Sequence, residues 1–399
     1  MLLELWLAVI AALITLAVAF WLLGWRWEST LSRPRSKERP LVSIIIPAYK
    51  SEKTIRETVE SAKALSYKKK EIVVVNDSRD GTPKICRELG VRVIQNRKRL
   101  GKWLALNKAV PRTKGDILFF LDADTVIEKD AMEKMIPWFA DKSVAVVSPK
   151  YVAQASGRLI PKLASFENKF NSTLFKAHMF FGSMISFRGC GVAIRRSFFD
   201  CVGGWSKTLI EDVDFAGKTL RAGYKIQYEP SATVRTREME TMHDLKSQRV
   251  RWGKGAAYSF LNYRSTYSGN RQFALHFFPY IFLIFSVVGL LLWQFYLFIP
   301  LVLLIVLYSY SVSSFTALMI ILLIPLIYGI AALTAGSIGH LTIVTWKEKE
   351  RSRDMLLLIP FLLFYEPLVI FFYFRGMASG FSKRRYSKDE LDLTDWNCG

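Results

Sequence analysis

The sequence predicts an α/β doubly wound domain joined to membrane-spanning helices, and three observations carry that expectation. Continuous β-branched runs alternate with helically spaced segments between residues 42 and 121. Pro47, Asp77 and Asp122 stand at or just beyond the ends of those runs. Residues 273–346 contain no Asp, Glu, Lys or Arg, yet the chain of 399 residues carries a formal net charge of +21.

The first 24 residues hold Glu4 as their one charge, and a bilayer core needs about 20 apolar residues. Arg26, Arg33, Arg35, Lys37 and Arg39 follow this segment rather than precede it, the reverse of a cleaved signal. An uncleaved anchor is therefore expected at 1–24, a basic linker at 25–40 and a cytoplasmic domain at 41–272. Val42–Pro47 and Glu71–Val75 read as buried parallel strands, because both faces of such strands are covered and the apolar run is unbroken. Ser51–Leu65 has helical spacing between them. Val91–Ile94 with Trp103–Val110 repeats the alternation, and Ile117–Leu121 is a further buried strand. In doubly wound sheets ligands gather at the carboxyl ends of the strands, which is where Pro47, Asp77 and Asp122 fall.

Beyond residue 272 the chain reads as three or four membrane helices over 273–375, with spans at 274–294, 296–312, 315–335 and 354–374 and kinks at Pro300, Pro325 and Pro360. Four spans would return the tail 376–399, with Lys383, Arg384, Arg385 and Lys388, to the cytoplasm. The charged stretch after Trp346 reads equally as a cytoplasmic loop, which changes that parity. The whole net charge lies in residues 25–272. Cys86, Cys190, Cys201 and Cys398 are sparse and lack any C-x-x-C spacing, so free thiols are expected and zinc is not.

Several residues carry chemistry. Asp122 and Asp124, two apart at a strand end, can converge on one hard divalent cation, which neutralises a departing diphosphate. Lys102 follows Gly101 near a helix start, where phosphate is favoured; it also reads as a solvated lysine. Glu211-Asp212-Val213-Asp214 opens a helix, and Asp212 can take the proton from an attacking hydroxyl. Glu211 and Asp214 also suit a helix start as simple charges. Gln248, Arg251 and Trp252 stand at i, i+3 and i+4. An amide, a guanidinium and an indole on one helix face can hold a diphosphate and stack on a sugar. Phe187-Arg-Gly-Cys-Gly191 permits close backbone approach, or is a tight turn. Leu159, Leu163, Phe166, Phe170 and Leu174 form an apolar stripe beside Lys162, Lys169 and Lys176. That helix lies in a membrane interface or packs on the domain.

Taken in order, these motifs over residues 41–262 resemble glycosyltransferase family 2, in its membrane-integrated branch of cellulose, chitin and hyaluronan synthases and lipid-dependent mannosyltransferases. The resemblance implies a GT-A fold and an inverting hexosyltransferase using Mn2+ or Mg2+. It places Pro47, Ala48, Tyr49 and Asp77 at the nucleotide base and ribose. It gives Asp122 and Asp124 the metal and diphosphate, and Asp212 the role of base. Lys102, Gln248 and Arg251 fall on the donor side, and Gly189, Cys190, Glu211 and Trp252 on the acceptor side. Ile210 departs from the family, which often has Thr there, and leaves the hydrogen bonding at that helix start open.

A transporter would explain the apolar segments but not the ordered acidic and aromatic motifs, and intramembrane charges are nearly missing apart from Glu366. Nucleic-acid binding would fit the charge, but anionic lipid head groups are the simpler partner beside a membrane segment. The limited membrane part favours a polyisoprenoid lipid or lipid-linked glycan acceptor, of the polyprenyl or dolichol type, as in glycolipid or N-glycan precursor synthesis. The donor expected first is GDP-mannose, with UDP-glucose and UDP-N-acetylglucosamine next. The alternative is a processive polysaccharide synthase using a UDP-sugar. Val344–Lys347 resembles that group's gating loop, with Thr342 in place of its leading aromatic.

Overall fold

A computed structural model describes residues 22–34, 36–154, 156–268, 357 and 360–382. The expected spans 274–294, 296–312 and 315–335, most of the 1–24 anchor, Val344–Lys347 and the tail from 383 lie outside the described residues. Among the described residues, no helix is long and apolar enough to cross a membrane.

Strand β1 (Val42–Ala48) is buried along almost its whole length because it lies between two parallel neighbours, β2 (Lys70–Asn76) and β4 (Ile117–Phe120). β3 (Arg92–Gln95) extends the sheet beyond β2, also in parallel. Helices α1 (Ile55–Lys63), α2 (Thr82–Glu88) and α3 (Lys102–Ala109) connect these strands in turn. The unbroken β-branched runs thus form the parallel centre of the sheet, as their lack of alternation predicted.

The sheet as a whole is mixed. With β5 (Thr125–Ile127), β6 (Val144–Ala153), β7 (Val192–Arg195) and β8 (Lys225–Thr236), the strand order is β3-β2-β1-β4-β7-β6-β8-β5. β7 runs antiparallel to β4 and β6, and β5 antiparallel to β8. A short strand buried on both faces carries no alternation from which direction can be read.

Moving outward from β1, the chain proceeds to β2 and β3 on one side and then returns to β4 on the other. This reversal opens a crevice at the carboxyl ends of β1 and β4. Pro47, which lacks an N–H, is paired with Val75 of β2, whereas pairing with β4 stops at Ile45 and Phe120. The two strands part there, leaving Ala48 and Tyr49 on one lip and Asp122 on the other.

Short helices α4 (Ala131–Met135) and α6 (Arg196–Cys201) pack around the sheet. α5 (Leu159–Phe180) lies across it; Leu163, Phe166 and Leu174 are buried, and the Ser172 hydroxyl meets that of Tyr228 at 2.7 Å. Of the two readings of this helix, packing on the domain is the one observed. The linker is held as well. Arg33 donates from Nε and Nη2 to the buried Glu229 carboxylate at 2.7 and 2.9 Å. Cys86 and Cys190 are free thiols as expected.

Helix α7 (Glu211–Arg221) packs against α8 (Met242–Asn262), which carries the Q-x-x-R-W stretch and leads to α9 (Arg264–Tyr267). A π-helical turn at Phe361–Tyr365 enters α10 (Glu366–Ser382). The span expected at 354–374 is described in part: α10 runs past residue 374 and crosses α8 closely. A Cβ on Gly253 would stand 2.0 Å from the Tyr373 carbonyl oxygen, and one on Gly376 2.3 Å from that of Val250. Without side chains at these two points the backbones can touch.

Candidate active site

The crevice between β1 and β4 is a cavity of about 490 Å³ that brings together Pro47, Ala48, Tyr49, Asp77, Lys102, Asp122 and Asp124. Seven expected residues therefore share one site. Tyr49 is exposed, and the Arg99 guanidinium lies 4.3 Å from its ring centroid. Its neighbour Lys50 holds a left-handed φ of 54°, an uncommon conformation for a side chain without local hydrogen-bonding capacity. The Lys50 amide donates to Ser78 Oγ at 2.9 Å, which fixes the turn.

Asp77 also organises the loop opposite. Its Oδ1 accepts from Asn96 Nδ2 at 2.6 Å, and its Oδ2 from the amides of Leu100 and Gly101 at 2.9 and 2.8 Å. Those bonds set the start of α3, so Lys102 is aimed by Asp77. Lys102 Nζ lies 2.8 Å from Asp122 Oδ1 and 3.1 Å from Glu211 Oε1. Burial would lower its pKa, but Asp122 and Glu211 hold it well above the ordinary lysine range. Glu211, expected on the acceptor side, pairs with Lys102 and lines neither this cavity nor the one that contains Asp212. Burial raises its carboxyl, and the Lys102 charge more than offsets this, so the group stays below its usual value.

Asp124 is pushed up to about 6, by burial first and by the charge of Asp122 second. Two carboxylates facing one cavity and repelling each other have the character of a cation site. Among the described residues no group of three or more His, Cys, Asp or Glu could hold a metal. Asp122 and Asp124 thus fit a hard cation that takes its remaining oxygens from phosphate and water.

A second cavity, of about 170 Å³, contains Asp212 and Trp252. The α7 start has no side-chain cap on Ile210; instead Asp212 Oδ1 accepts from the Val213 amide at 2.9 Å. Ile210 packs on Gly255, where a Cβ would stand 2.1 Å from Ile210 Cγ1. That answers what isoleucine does at a position without a capping hydroxyl. Asp212 Oδ2 accepts from the Gly189 amide at 2.8 Å. Burial, then the charge of Glu211, raises Asp212 to about 6. A Cβ on Gly189 would lie 3.4 Å from Asp212 Oδ2 and 3.6 Å from Lys102 Nζ. The Phe187–Gly191 loop therefore passes where Lys102 and Asp212 come near each other. Burial and the nearby Asp122 charge push the Cys190 thiol far up, which keeps it neutral.

The Q-x-x-R-W residues, expected to share one site, do not line one cavity. Arg251 donates Nη1 to the Leu209 carbonyl at 3.0 Å and lines a third cavity, of about 520 Å³, with Lys246, Lys254 and Arg375. Gln248 lines none of the three cavities, and its Oε1 is buried without a partner among the described residues. Successive helical residues are about 100° apart, so Arg251 and Trp252 diverge by that angle, and α10 crosses at Gly253 between their two sides.

The residue that sequence reasoning missed is Arg249. It is 2% exposed, its guanidinium lies 4.2 Å from the Trp252 ring centroid, and Nη2 donates to Glu167 Oε2 at 2.6 Å. Its i, i+3 spacing to Trp252 was the available signal. Arg188 joins it in the same cavity, beside Val369, Ile370, Tyr373 and Phe374 of α10.

Residues 43–203 match the profile of Glycosyl transferase family 2. The chain is 32% identical over 246 residues to "Probable glycosyltransferase YdaM" of Bacillus subtilis (strain 168), covering 58% of this chain and 59% of that one. It is 29% identical over 225 residues to the poly-beta-1,6-N-acetyl-D-glucosamine synthase of Staphylococcus aureus (strain COL), covering 54% of each. The chain thus spans little more than half the length of these curated relatives. Its fold resembles the mannosyltransferase PcManGT from Pyrobaculum calidifontis in complex with GDP-Man and Mn2+, with TM-score 0.58 and 19% identity over 94% of this chain and 99% of that one. Residues 43–203 are thus similar to glycosyltransferase family 2, and the α/β fold is like that of the Pyrobaculum mannosyltransferase.

Proposed function

We propose that this chain, on the strength of its likeness to glycosyltransferase family 2, is an inverting, metal-dependent membrane glycosyltransferase. It moves a hexosyl group from a nucleotide-sugar, GDP-mannose first, to a polyisoprenoid lipid-linked acceptor. The observation that carries the reading is a pair of cavities, one lined by Lys102 and the other by Asp212, whose two side chains both approach Gly189. One is rich in carboxylates and suited to a nucleotide diphosphate; the other is polar at Asp212 and apolar along α10, which suits a head group on an aliphatic chain.

Asp122 and Asp124 would hold the divalent ion, Mn2+ or Mg2+, which neutralises charge on the departing diphosphate. Lys102, held charged between Asp122 and Glu211, adds a positive end to the same path. Tyr49 and Arg99 offer a flat stacked face at the outer lip for a base. Asp212, oriented by the Gly189 and Val213 amides, accepts the proton of an attacking hydroxyl as the bond to the anomeric carbon forms from the opposite side, giving inversion.

The catalytic domain is proposed to sit in the cytoplasm under a multi-pass membrane part, a reading supported by the charge-free 273–346 and the net +21 of residues 25–272. A second reading, processive polymer synthesis from a UDP-sugar, is supported by the likeness to the staphylococcal poly-beta-1,6-N-acetyl-D-glucosamine synthase. A donor screen on detergent-solubilised protein with Mn2+ and polyprenyl lipids separates the two. A single-sugar lipid product supports the first, a polymer the second, and no transfer from any donor rejects both.

A further inference from the structure

Arg249 presents a problem in buried charge. Arginine stays protonated in proteins, so it cannot escape burial by losing its charge, and buried donors left unsatisfied destabilise the fold. Only Nη2 of Arg249 has a hydrogen-bond partner; Nε and Nη1 are buried with none among the described residues. The ring of Trp252 covers the guanidinium face but accepts no in-plane hydrogen bond.

Arg249 lines the Asp212 cavity, and so does Arg188. The acidic contact of Arg188 is Glu238 at 3.8 Å, beyond hydrogen-bond distance. Two guanidinium groups with donors unused among the described residues therefore border one small cavity, which the apolar side chains of α10 also line. Glu167 accepts from both Arg249 and the Tyr365 hydroxyl. That arrangement anchors the arginine at one nitrogen and leaves the others to a ligand.

We infer that Arg249, with Arg188, recognises a phosphate group on the acceptor, so that the second cavity takes a phosphate-bearing amphiphile whose apolar chain leaves along α10. Paired guanidiniums suit phosphate oxygens by geometry and charge, and Val369, Ile370, Tyr373 and Phe374 suit the chain. This rests on the transferase reading and sharpens it: a neutral lipid glycoside leaves the arginine donors unmet. Arg249 is a specificity residue here, with Asp212 keeping the proton chemistry.

The test uses the full chain in detergent and measures binding of farnesyl phosphate, farnesol and inorganic phosphate by thermophoresis. Farnesyl phosphate is expected to bind at least tenfold more tightly than farnesol, and Arg249→Gln to reduce that preference to threefold or less. Arg249→Lys should restore part of it, since charge survives without the fork. Nucleotide affinity should stay within twofold of the parent, which a general loss of structure would not allow. If Arg249→Gln does not fold, Arg188→Gln and the parent's own preference still decide the matter. Equal binding of farnesyl phosphate and farnesol by the parent overturns the inference, as does a tenfold preference that survives in both variants. Inorganic phosphate competing as well as farnesyl phosphate assigns the site to free phosphate and removes the lipid chain. Failure of sugar transfer from every donor would reject the transferase reading without altering these binding results.

Discussion

Asp124 and Asp212 are both raised to about 6, for different purposes. Asp124 suffers the charge of Asp122 beside it, and a cation relieves that repulsion. Asp124→Ala is expected to abolish Mn2+-dependent tightening of nucleotide binding, lowering transfer by at least 10²-fold, the order of loss when a charge-stabilising group is removed. Titration calorimetry with and without Mn2+ checks it; identical nucleotide affinities in parent and variant would refute the metal assignment. Asp212 must be ionised to take a proton. Transfer to a hydroxyl acceptor should therefore fall as pH drops through about 6, and Asp212→Asn should lose about 10²–10⁴ in rate. A phosphate nucleophile is already anionic near neutral pH, so wild-type rates for Asp212→Asn on a polyprenyl phosphate would make that phosphate the attacking group. The stability effect has the opposite sign. The folded-state pKa exceeds the unfolded value of about 3.9, so folding favours the protonated form and stability declines as pH rises from about 4 through 6. Asparagine cannot ionise. Asp212→Asn is thus expected to be more stable than the parent at pH 7.5 by about 1–3 kcal/mol, and so to unfold at a higher temperature, with the gap closing below pH 4. An unchanged or lower melting temperature at pH 7.5 would contradict the raised pKa.

Between elements, the α8–α10 crossing decides how the second cavity is shaped, because Arg249 and Trp252 come from one helix and Ile370, Tyr373 and Phe374 from the other. Gly253→Ala should be favourable by about 1 kcal/mol in an isolated helix. Here its Cβ would stand 2.0 Å from a backbone oxygen that cannot rotate away, and overpacking of this kind costs about 1–3 kcal/mol. The expected outcome is a lower melting temperature and a KM for lipid acceptor raised several-fold, with KM for the nucleotide-sugar unchanged because the first cavity contains nothing from α10. Gly157→Ala is the control: nothing lies within 4 Å of its Cβ, and its effect should stay within about 0.5 kcal/mol. Equal effects of the two substitutions would mean that the crossing does not govern acceptor binding.

For the whole molecule, the concentration of the net +21 in residues 25–272 predicts that this block attracts anionic membrane. Expressed as 25–272 alone, it is expected to sediment with vesicles containing phosphatidylserine and to be released at about 1 M salt, where the Debye length is about 3 Å. Equal sedimentation with neutral phosphatidylcholine vesicles would argue against an electrostatic contact. At this scale the sequence was legible where one residue type at one place suffices. The unbroken β-branched runs determined the parallel centre of the sheet, and strand ends located Pro47, Asp77, Asp122 and Asp124 in a shared crevice, because a doubly wound sheet has one place for ligands. Strand direction for β7 and β5 stayed hidden, since covered strands do not alternate. The pairing of Glu211 with Lys102 was not legible, because two adjacent carboxylates at a helix start differ only in which cation lies near, and Lys102 is more than a hundred residues away in the chain. Arg249 was overlooked for the same reason: its burial depends on Glu167, Trp252 and a second helix that no local spacing encodes. Sequence alone settled which chemical groups are present and in what order. Which of them face each other was left to the packing of α8 between α7 and α10, where close contact at Gly253 and Gly255 turns Arg251 to one cavity and Arg249 to another.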